Sequence, residues 1–316
     1  MTFKKWASFS VIGLIIIVLF ILPSLTDRTD IIDSLWLVFL CVSLTQSWNL
    51  LGGYAGQISL GHCAFFGIGA LCTRMLWETG TPFYLAFPAG GLAAVMLAII
   101  IGLPALRLKG IYFSIGTLGL AIIAKVTVGN VFPTVSFMSA SQLADYSMTP
   151  RYYLALALAV VVCFIVYLLL NSKFGLGMLT VREDESAAAS SGINVFKHKV
   201  IALMISSLFA GLAGGVYAYY YASYYYYAPF ELDWAFNPVL VTFIGGVGTL
   251  PGPIIGSVIF VVLQKIFSLT LGNVHVIIFG TLFVITVLLL PGGLYELVGK
   301  IRRLFSRIGK TKGIVS

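Results

Sequence analysis

Runs of about 20 apolar residues, each long enough to cross the roughly 30 Å hydrocarbon core of a membrane as a helix, follow one another along this chain, and one crowded polar island interrupts them at Lys173–Lys199. Lys173, Arg182, Glu183, Asp184, Glu185, Lys197 and Lys199 gather there, although charged residues are only 9% of the sequence and hydrophobic ones 59%. Such an island cannot lie in hydrocarbon, so it forms a sizeable loop on one side of a membrane. A soluble protein of 316 residues would need far more polar surface. The fold class expected is an all-α polytopic membrane protein, a single transmembrane domain over 1–316 with the island loop, 171–198, inside it. Ten segments are expected: 8–25, 32–51, 57–77, 84–106, 111–129, 152–170, 199–221, 236–248, 252–270 and 275–292. The shortest, 236–248, either crosses or re-enters.

The net charge of +8 would suit a nucleic-acid partner, but the placement of the charges argues against one. With the N-terminus inside, the inner positions hold Lys4, Lys5, Arg107, Lys109, Lys173, Arg182, Lys197, Lys199, Lys300, Arg302, Arg303, Arg307, Lys310 and Lys312, which is 14 of the 19 basic residues. The other five, Arg28, Arg74, Lys125, Arg151 and Lys265, fall in outer loops or near outer helix ends. The positive-inside rule then puts both termini in the cytoplasm of a multi-pass cell-membrane protein. The basic tail 300–312 is expected to rest on anionic lipid headgroups. Leu22-Pro23-Ser24-Leu25-Thr26 offers no small-x-small cleavage site, so the first helix reads as uncleaved. Cys41, Cys63, Cys72 and Cys163 all lie in apolar segments without metal or redox spacing, and read as small buried hydrophobes.

Two apolar segments are punctuated by glycine: Leu51-Gly52-Gly53-Tyr54-Ala55-Gly56-Gln57-Ile58-Ser59-Leu60-Gly61-His62, and Gly245-Gly246-Val247-Gly248-Thr249-Leu250-Pro251-Gly252-Pro253-Ile254-Ile255-Gly256. At this density glycine and proline break a helix, and in a membrane the freed backbone must face protein or a water-filled cavity. Paired breaks in two halves point to a transport pathway, with Gly56, Gln57, Ser59, His62, Gly245, Gly246 and Gly248 as its candidate residues. Close helix packing is the alternative, and it suits Gly67 and Gly69 well. His62 either lines a pathway or bonds a neighbouring helix. Metal binding there is disfavoured, and no cofactor is expected. Eight of the 16 tyrosines cluster at Tyr217, Tyr219, Tyr220, Tyr221, Tyr224, Tyr225, Tyr226 and Tyr227, and aromatic-belt anchoring accounts for most of them. Snorkelling accounts for Lys125 and Lys265.

No Asp or Glu falls deep in an expected span, which disfavours a proton-coupled carrier. The glycine segment at 245–256 is no phosphate loop, since a Walker A motif needs Lys and Ser/Thr directly after its last glycine and the next lysine here is Lys265. If transport is driven by ATP, the energy comes from another subunit. Glu183-Asp184-Glu185, then Ser186-Ala187-Ala188-Ala189-Ser190-Ser191 and Gly192, predict a short helix with acidic residues at its start and glycine at its end. Taken alone, it reads first as a solvated loop helix.

Taken together, these segments resemble the permease subunits of ABC importers for branched-chain amino acids, a family that also includes urea and amide permeases. The resemblance runs through Gly53 to Ala70, Leu106-Arg107-Leu108-Lys109-Gly110-Ile111-Tyr112-Phe113, Val181 to Val195, Ala210-Gly211-Leu212-Ala213-Gly214-Gly215 and Gly245 to Pro253. It implies a second permease subunit, two cytoplasmic ATP-binding subunits and an external substrate-binding protein. It also implies alternating access driven through a coupling loop, with Arg182, Glu183, Glu185, Ala187, Ala188 and Gly192 as the coupling residues. Ser186-Ala187-Ala188 stands where many such importers have Glu-Ala-Ala. The outer segment Phe132 to Arg151 lacks the glycines that the family often has there. A self-sufficient channel and a membrane enzyme are the rival classes. Against the enzyme stands the lack of clustered His, Asp or Glu.

Overall fold

The computed structural model describes residues 2–26, 28–108, 110–271, 280, 281 and 293. The expected segment 275–292 and the tail 300–312 lie outside the described residues, apart from Gly280 and Thr281. Thirteen helices are described: α1 Thr2–Leu25, α2 Thr29–Asn49, α3 His62–Glu78, α4 Phe83–Leu97, α5 Leu103–Ala105, α6 Ile111–Val131, α7 Ala140–Ala144, α8 Met148–Leu170, α9 Lys173–Glu183, α10 Glu185–Ser190, α11 Val195–Tyr220, α12 Leu232–Gly245 and α13 Pro251–Leu271. Among the described residues, five stretches are long and apolar enough to cross a membrane: Thr29–Tyr54, Phe83–Ala105, Ile111–Val131, Met148–Leu170 and Val195–Tyr220.

Burial separates the centre from the rim. In α2 every residue from Val38 to Asn49 is buried, and in α11 most of Ala202–Ala218 is. A helix buried all round belongs at the core of a bundle. On α4, α6 and α8, by contrast, large apolar side chains such as Leu92, Ile123 and Phe164 are exposed, as expected of faces turned to lipid. Glycine lets the central helices touch: a Cβ on Gly69 would come within 2.2 Å of the Gly211 carbonyl oxygen. Close packing is therefore the right account of that position.

Both glycine-rich segments are broken helices. After α2 the chain makes a π-helical turn, Leu50–Tyr54, then runs without regular structure to His62. The expected segment 57–77 therefore becomes helix only at its sixth residue. The second break follows α12, where Gly246 takes φ +129° and Gly248 φ +71°. With 14 residues, α12 is about 21 Å long at 1.5 Å per residue, short of a full span. It also starts inside the body. Just before it, Phe230 packs on Gly67, and its carbonyl accepts from the Cys63 thiol at 3.7 Å.

One feature lay outside an all-helical expectation. Val135–Phe137 (β1) and Ser223–Tyr225 (β2) form an antiparallel ribbon, with Val135 opposite Tyr225. The ribbon closes the side of the bundle opposite the island, and it turns part of the tyrosine cluster inward. Tyr217, Tyr224 and Tyr226 are buried, four others are partly buried, and Tyr225 alone of the eight is exposed. They pack inward because β2 turns the chain back over the helix ends.

Candidate functional site

The last turn of α2 organises the centre. Thr45, Gln46, Ser47, Trp48 and Asn49 are all buried, and each reaches another element. Thr45 Oγ1 lies 3.2 Å from Ser257 Oγ of α13. Gln46 Nε2 donates to the Leu250 carbonyl at 2.6 Å. Ser47 Oγ donates to the Ser206 carbonyl at 2.7 Å and lies 2.8 Å from His62 Nε2. Trp48 Nε1 donates to the Ser59 carbonyl at 2.7 Å. Asn49 spans the second break, accepting from Gly248 N at 2.8 Å and donating to the Thr249 carbonyl at 3.0 Å. These side chains satisfy backbone that the two breaks leave unpaired, as a low-dielectric interior requires. Sequence reading passed over this run. Its signal was five hydrogen-bonding side chains in five positions at the end of an apolar span, where polar residues are costly and functional.

Of the two roles weighed for His62, the bond to neighbouring helices is the one seen: it is fully buried, held by Ser47 and, at 3.4 Å, by Ser206 Oγ. Ser59 is 1% exposed and its hydroxyl has no partner among the described residues. Gln57, 6% exposed, lines a cavity of about 180 Å³ with Gly56, Gly110 and Ser114. Gly245 packs on α13, where a Cβ would meet the Gly252 carbonyl oxygen at 1.8 Å. Gly246 is the turn itself.

The island folds as two helices. Asp184 caps α10 by accepting from Ser186 N at 2.7 Å and Ala187 N at 2.9 Å, and these bonds hold its carboxyl below the usual aspartate range. At the other end Gly192 takes φ +80°. Its N–H donates to the Ala189 carbonyl, and Ile193 N donates to that of Ala188, a Schellman ending that satisfies both carbonyls. The short helix anticipated from Glu183 to Gly192 is therefore present, preceded by an unanticipated α9. Ala187 and Gly192 are exposed, as is Glu183, whose side chain is 79% exposed. Ala188 is buried beneath α10.

Two side chains tie the island to the bundle. Lys199 of α11, 4% exposed, holds Glu185 of α10 at 2.5 Å. Arg182 of α9 donates from Nη1 to the Gly53 carbonyl at 2.8 Å. It also covers the second break, since a Cβ on Gly248 would come within 2.3 Å of that nitrogen. Gly56, Gly248 and Arg182 thus meet at one junction, while Glu183, Ala187 and Gly192 lie apart from it.

On the opposite side a second polar cluster was missed. Arg74, placed by its sequence near a helix end, is fully buried. Its Nε bonds Glu78 at 3.0 Å and Ser136 at 2.5 Å, and its Nη atoms donate to the carbonyls of Ala218, Tyr221 and Ala222. Tyr226 donates to the same Glu78. Burial, then the Glu78 carboxylate, pushes the Tyr226 hydroxyl up to about 12. Arg151, also buried, donates to the Tyr219 and Ser147 carbonyls and stacks on Tyr146. Lys125 does not simply snorkel but lies 3.9 Å from Glu231, and Lys265 donates to Ser34 and the Asp30 carbonyl.

The family profile described as branched-chain amino acid transport system, permease component, matches residues 31–287. The high-affinity branched-chain amino acid transport system permease protein LivM of Escherichia coli K12 is 26% identical over 307 residues, covering 86% of this chain and 71% of LivM. A probable LivM of Methanocaldococcus jannaschii is 24% identical, covering 78% of this chain and 84% of its own. A shorter stretch of 65 residues is 49% identical to the guanosine ABC transporter permease protein NupQ of Bacillus subtilis, covering 21% and 19% of the two chains. With its apolar spans, its two broken helices and a profile match over most of its length, this chain is a multi-pass membrane protein that belongs to the branched-chain amino acid transport system permease family.

Proposed function

We propose that this chain is the membrane-spanning subunit of an ATP-driven importer, and that it moves branched-chain amino acids by alternating access. The observation that carries the reading is the junction at Arg182, where the island touches both broken segments at once. A loop that only covered the bundle would have no need to reach its two weakest backbone points. The pathway runs beside the polar end of α2, past Gly56, Gln57, Ser59 and His62 of one break and Gly245, Gly246 and Gly248 of the other. With Ser59 and His62 buried, it is closed at that level in this conformation.

The chain has no ATPase site of its own. Two cytoplasmic partners bind and hydrolyse ATP and dock on the exposed face of α10, around Glu183, Ala187 and Gly192. Glu185, Ala188 and Arg182 pass the motion inward. The island side is then the cytoplasm, with both termini, in keeping with 14 of the 19 basic residues. A second permease subunit completes the pathway, and an external binding protein delivers substrate to the ribbon side. The whole chain acts as one transmembrane domain.

The test is uptake into proteoliposomes holding this chain, the ATPases and the binding protein encoded beside it, with labelled leucine, urea or guanosine, with and without ATP. ATP-dependent leucine uptake that is lost when Glu183 and Gly192 are replaced supports both substrate and coupling loop. Preference for urea moves the substrate to short amides. Preference for guanosine moves it to nucleosides, the class named for the NupQ relative. Uptake by this chain alone without ATP overturns the importer reading in favour of a channel.

A further inference from the structure

Gly56 and Gly248 take φ +72° and +71°, a backbone that favours glycine, and Arg182 packs against both. At Gly56 a Cβ would stand 3.2 Å from Arg182 Cα and 3.3 Å from its Cγ, and at Gly248 it would stand 2.3 Å from Nη1. Gly53 supplies the carbonyl that Nη1 bonds at 2.8 Å, and a Cβ on Gly53 would meet Gly248 N at 2.8 Å. Gly53, Gly56 and Gly248 thus contribute to one seat, which the Arg182 side chain occupies. The carbonyl it offers belongs to the frayed end of α2, where the helix dipole and an orphan acceptor favour a cation.

The alternative partner of Arg182 is weak. Glu183 lies 3.8 Å from Nε with its own side chain 79% exposed, and an exposed pair of that kind contributes little. Guanidinium carries five donors in a fixed fork, of which only one is bonded to protein oxygen here within hydrogen-bond distance among the described residues. Four remain for other carbonyls when the breaks rearrange. Asn49 already stitches the second break to α2, so the two breaks are tied to each other through α2, while Arg182 bonds the first break to α9 and packs over the second.

We infer that Arg182 is a positioning residue that locks the two broken segments to the coupling loop, so that both move as one when α9 and α10 move. The inference rests on the importer reading and adds to it a specific link. In this account Arg182, whose side chain is 35% exposed, acts through the breaks rather than through the ATPase. The Lys199–Glu185 pair is a separate tie, from α10 to α11, and does not touch the breaks.

The experiment uses the complete transporter in proteoliposomes and reads labelled leucine taken up per ATP hydrolysed, with co-purification of the ATPases as a measure of docking. R182Q removes the charge and R182K keeps a cationic donor that reaches Gly53. The ratio is expected to fall about fivefold or more in R182Q, the scale of an ordinary coupling free energy, with R182K intermediate and ATPase co-purification retained in both. A wild-type ratio in R182Q overturns the inference. So does an R182K as poor as R182Q, because the donor to Gly53 would then not be what matters. Loss of ATPase co-purification in R182Q overturns it in favour of a docking role. If the unaltered transporter shows no ATP-dependent uptake, the importer reading itself falls. If it couples normally and R182Q matches it, the link alone falls.

Discussion

Arg74 shows how a charge can be housed at the edge of a membrane bundle. Its side chain is fully buried while that of Glu78 is 24% exposed, so the carboxylate keeps some water and the guanidinium has none. Three backbone carbonyls, Ser136 and Glu78 satisfy it instead. Removing one member of a buried pair leaves the other uncompensated. R74M is therefore expected to cost about 3 kcal/mol or more, seen as a lower midpoint of thermal unfolding in detergent. An unchanged midpoint would mean that the network is incidental. The pair at the island is more modest, since Glu185 has a side chain 38% exposed while Lys199 has 4%. A double-mutant cycle of E185Q and K199M should give a coupling of about 1 kcal/mol, near the upper end for exposed pairs. Apart from Glu78, four positions from Arg74 on the same helix, none of these partners was legible locally. Arg74 and Ser136 are 62 positions apart, and a single arginine near a helix end carries no sign of which carbonyls it will meet.

Elements whose signals are local were legible. Asp184 and Gly192 bracket a run of alanine and serine, and α10 forms between them with the cap and ending that those residue types favour. In D184A the amides of Ser186 and Ala187 lose their acceptor, so they should exchange with deuterium faster than in the unaltered chain while α11 keeps its protection. Equal exchange in both chains would show that α10 is held by packing alone. The breaks were legible too, because glycine and proline act on their own backbone. What the sequence concealed was where each break is satisfied. Asn49 is the last residue of a helix that otherwise reads as an ordinary span, and its acceptor and donor lie about 200 positions away. The ribbon was concealed for the same reason. The three-residue strands β1 and β2 fall below any pattern of alternation, and the tyrosines of β2 imitate an interfacial belt.

At the scale of the molecule, the island and the ribbon lie at opposite ends of α11, whose first residue, Val195, follows α10 and whose last, Tyr220, precedes β2. If the island side is the cytoplasm, a cysteine placed at the exposed Ser191 should react with a membrane-impermeant thiol reagent only after cells are opened. The native Cys41 and Cys63 are buried and Cys72 and Cys163 partly so, so the background should be low. Labelling of S191C in intact cells would invert the proposed topology. The two sides also differ in construction. The ribbon side is braced by the buried Arg74 and Arg151, whereas on the island side the buried Met178 packs into the core and Arg182 and Lys199 add polar ties.

The polar end of α2 has a consequence for how the protein is made. Gln46 and Ser47 emerge from the ribosome long before their partners, with Leu250 following 204 positions later and Ser206 159 positions later. At 5–20 residues per second, the gap before Leu250 is synthesised is about 10–40 s. For that interval the amides of Gln46 and Asn49 lack the partners they have in the folded chain, and hydrocarbon does not tolerate them unpaired. The helix must wait beside the insertion machinery, or in the wet headgroup zone, and take its central place only when α11 and α13 arrive. The helix at the heart of the bundle is thus among the last to settle there.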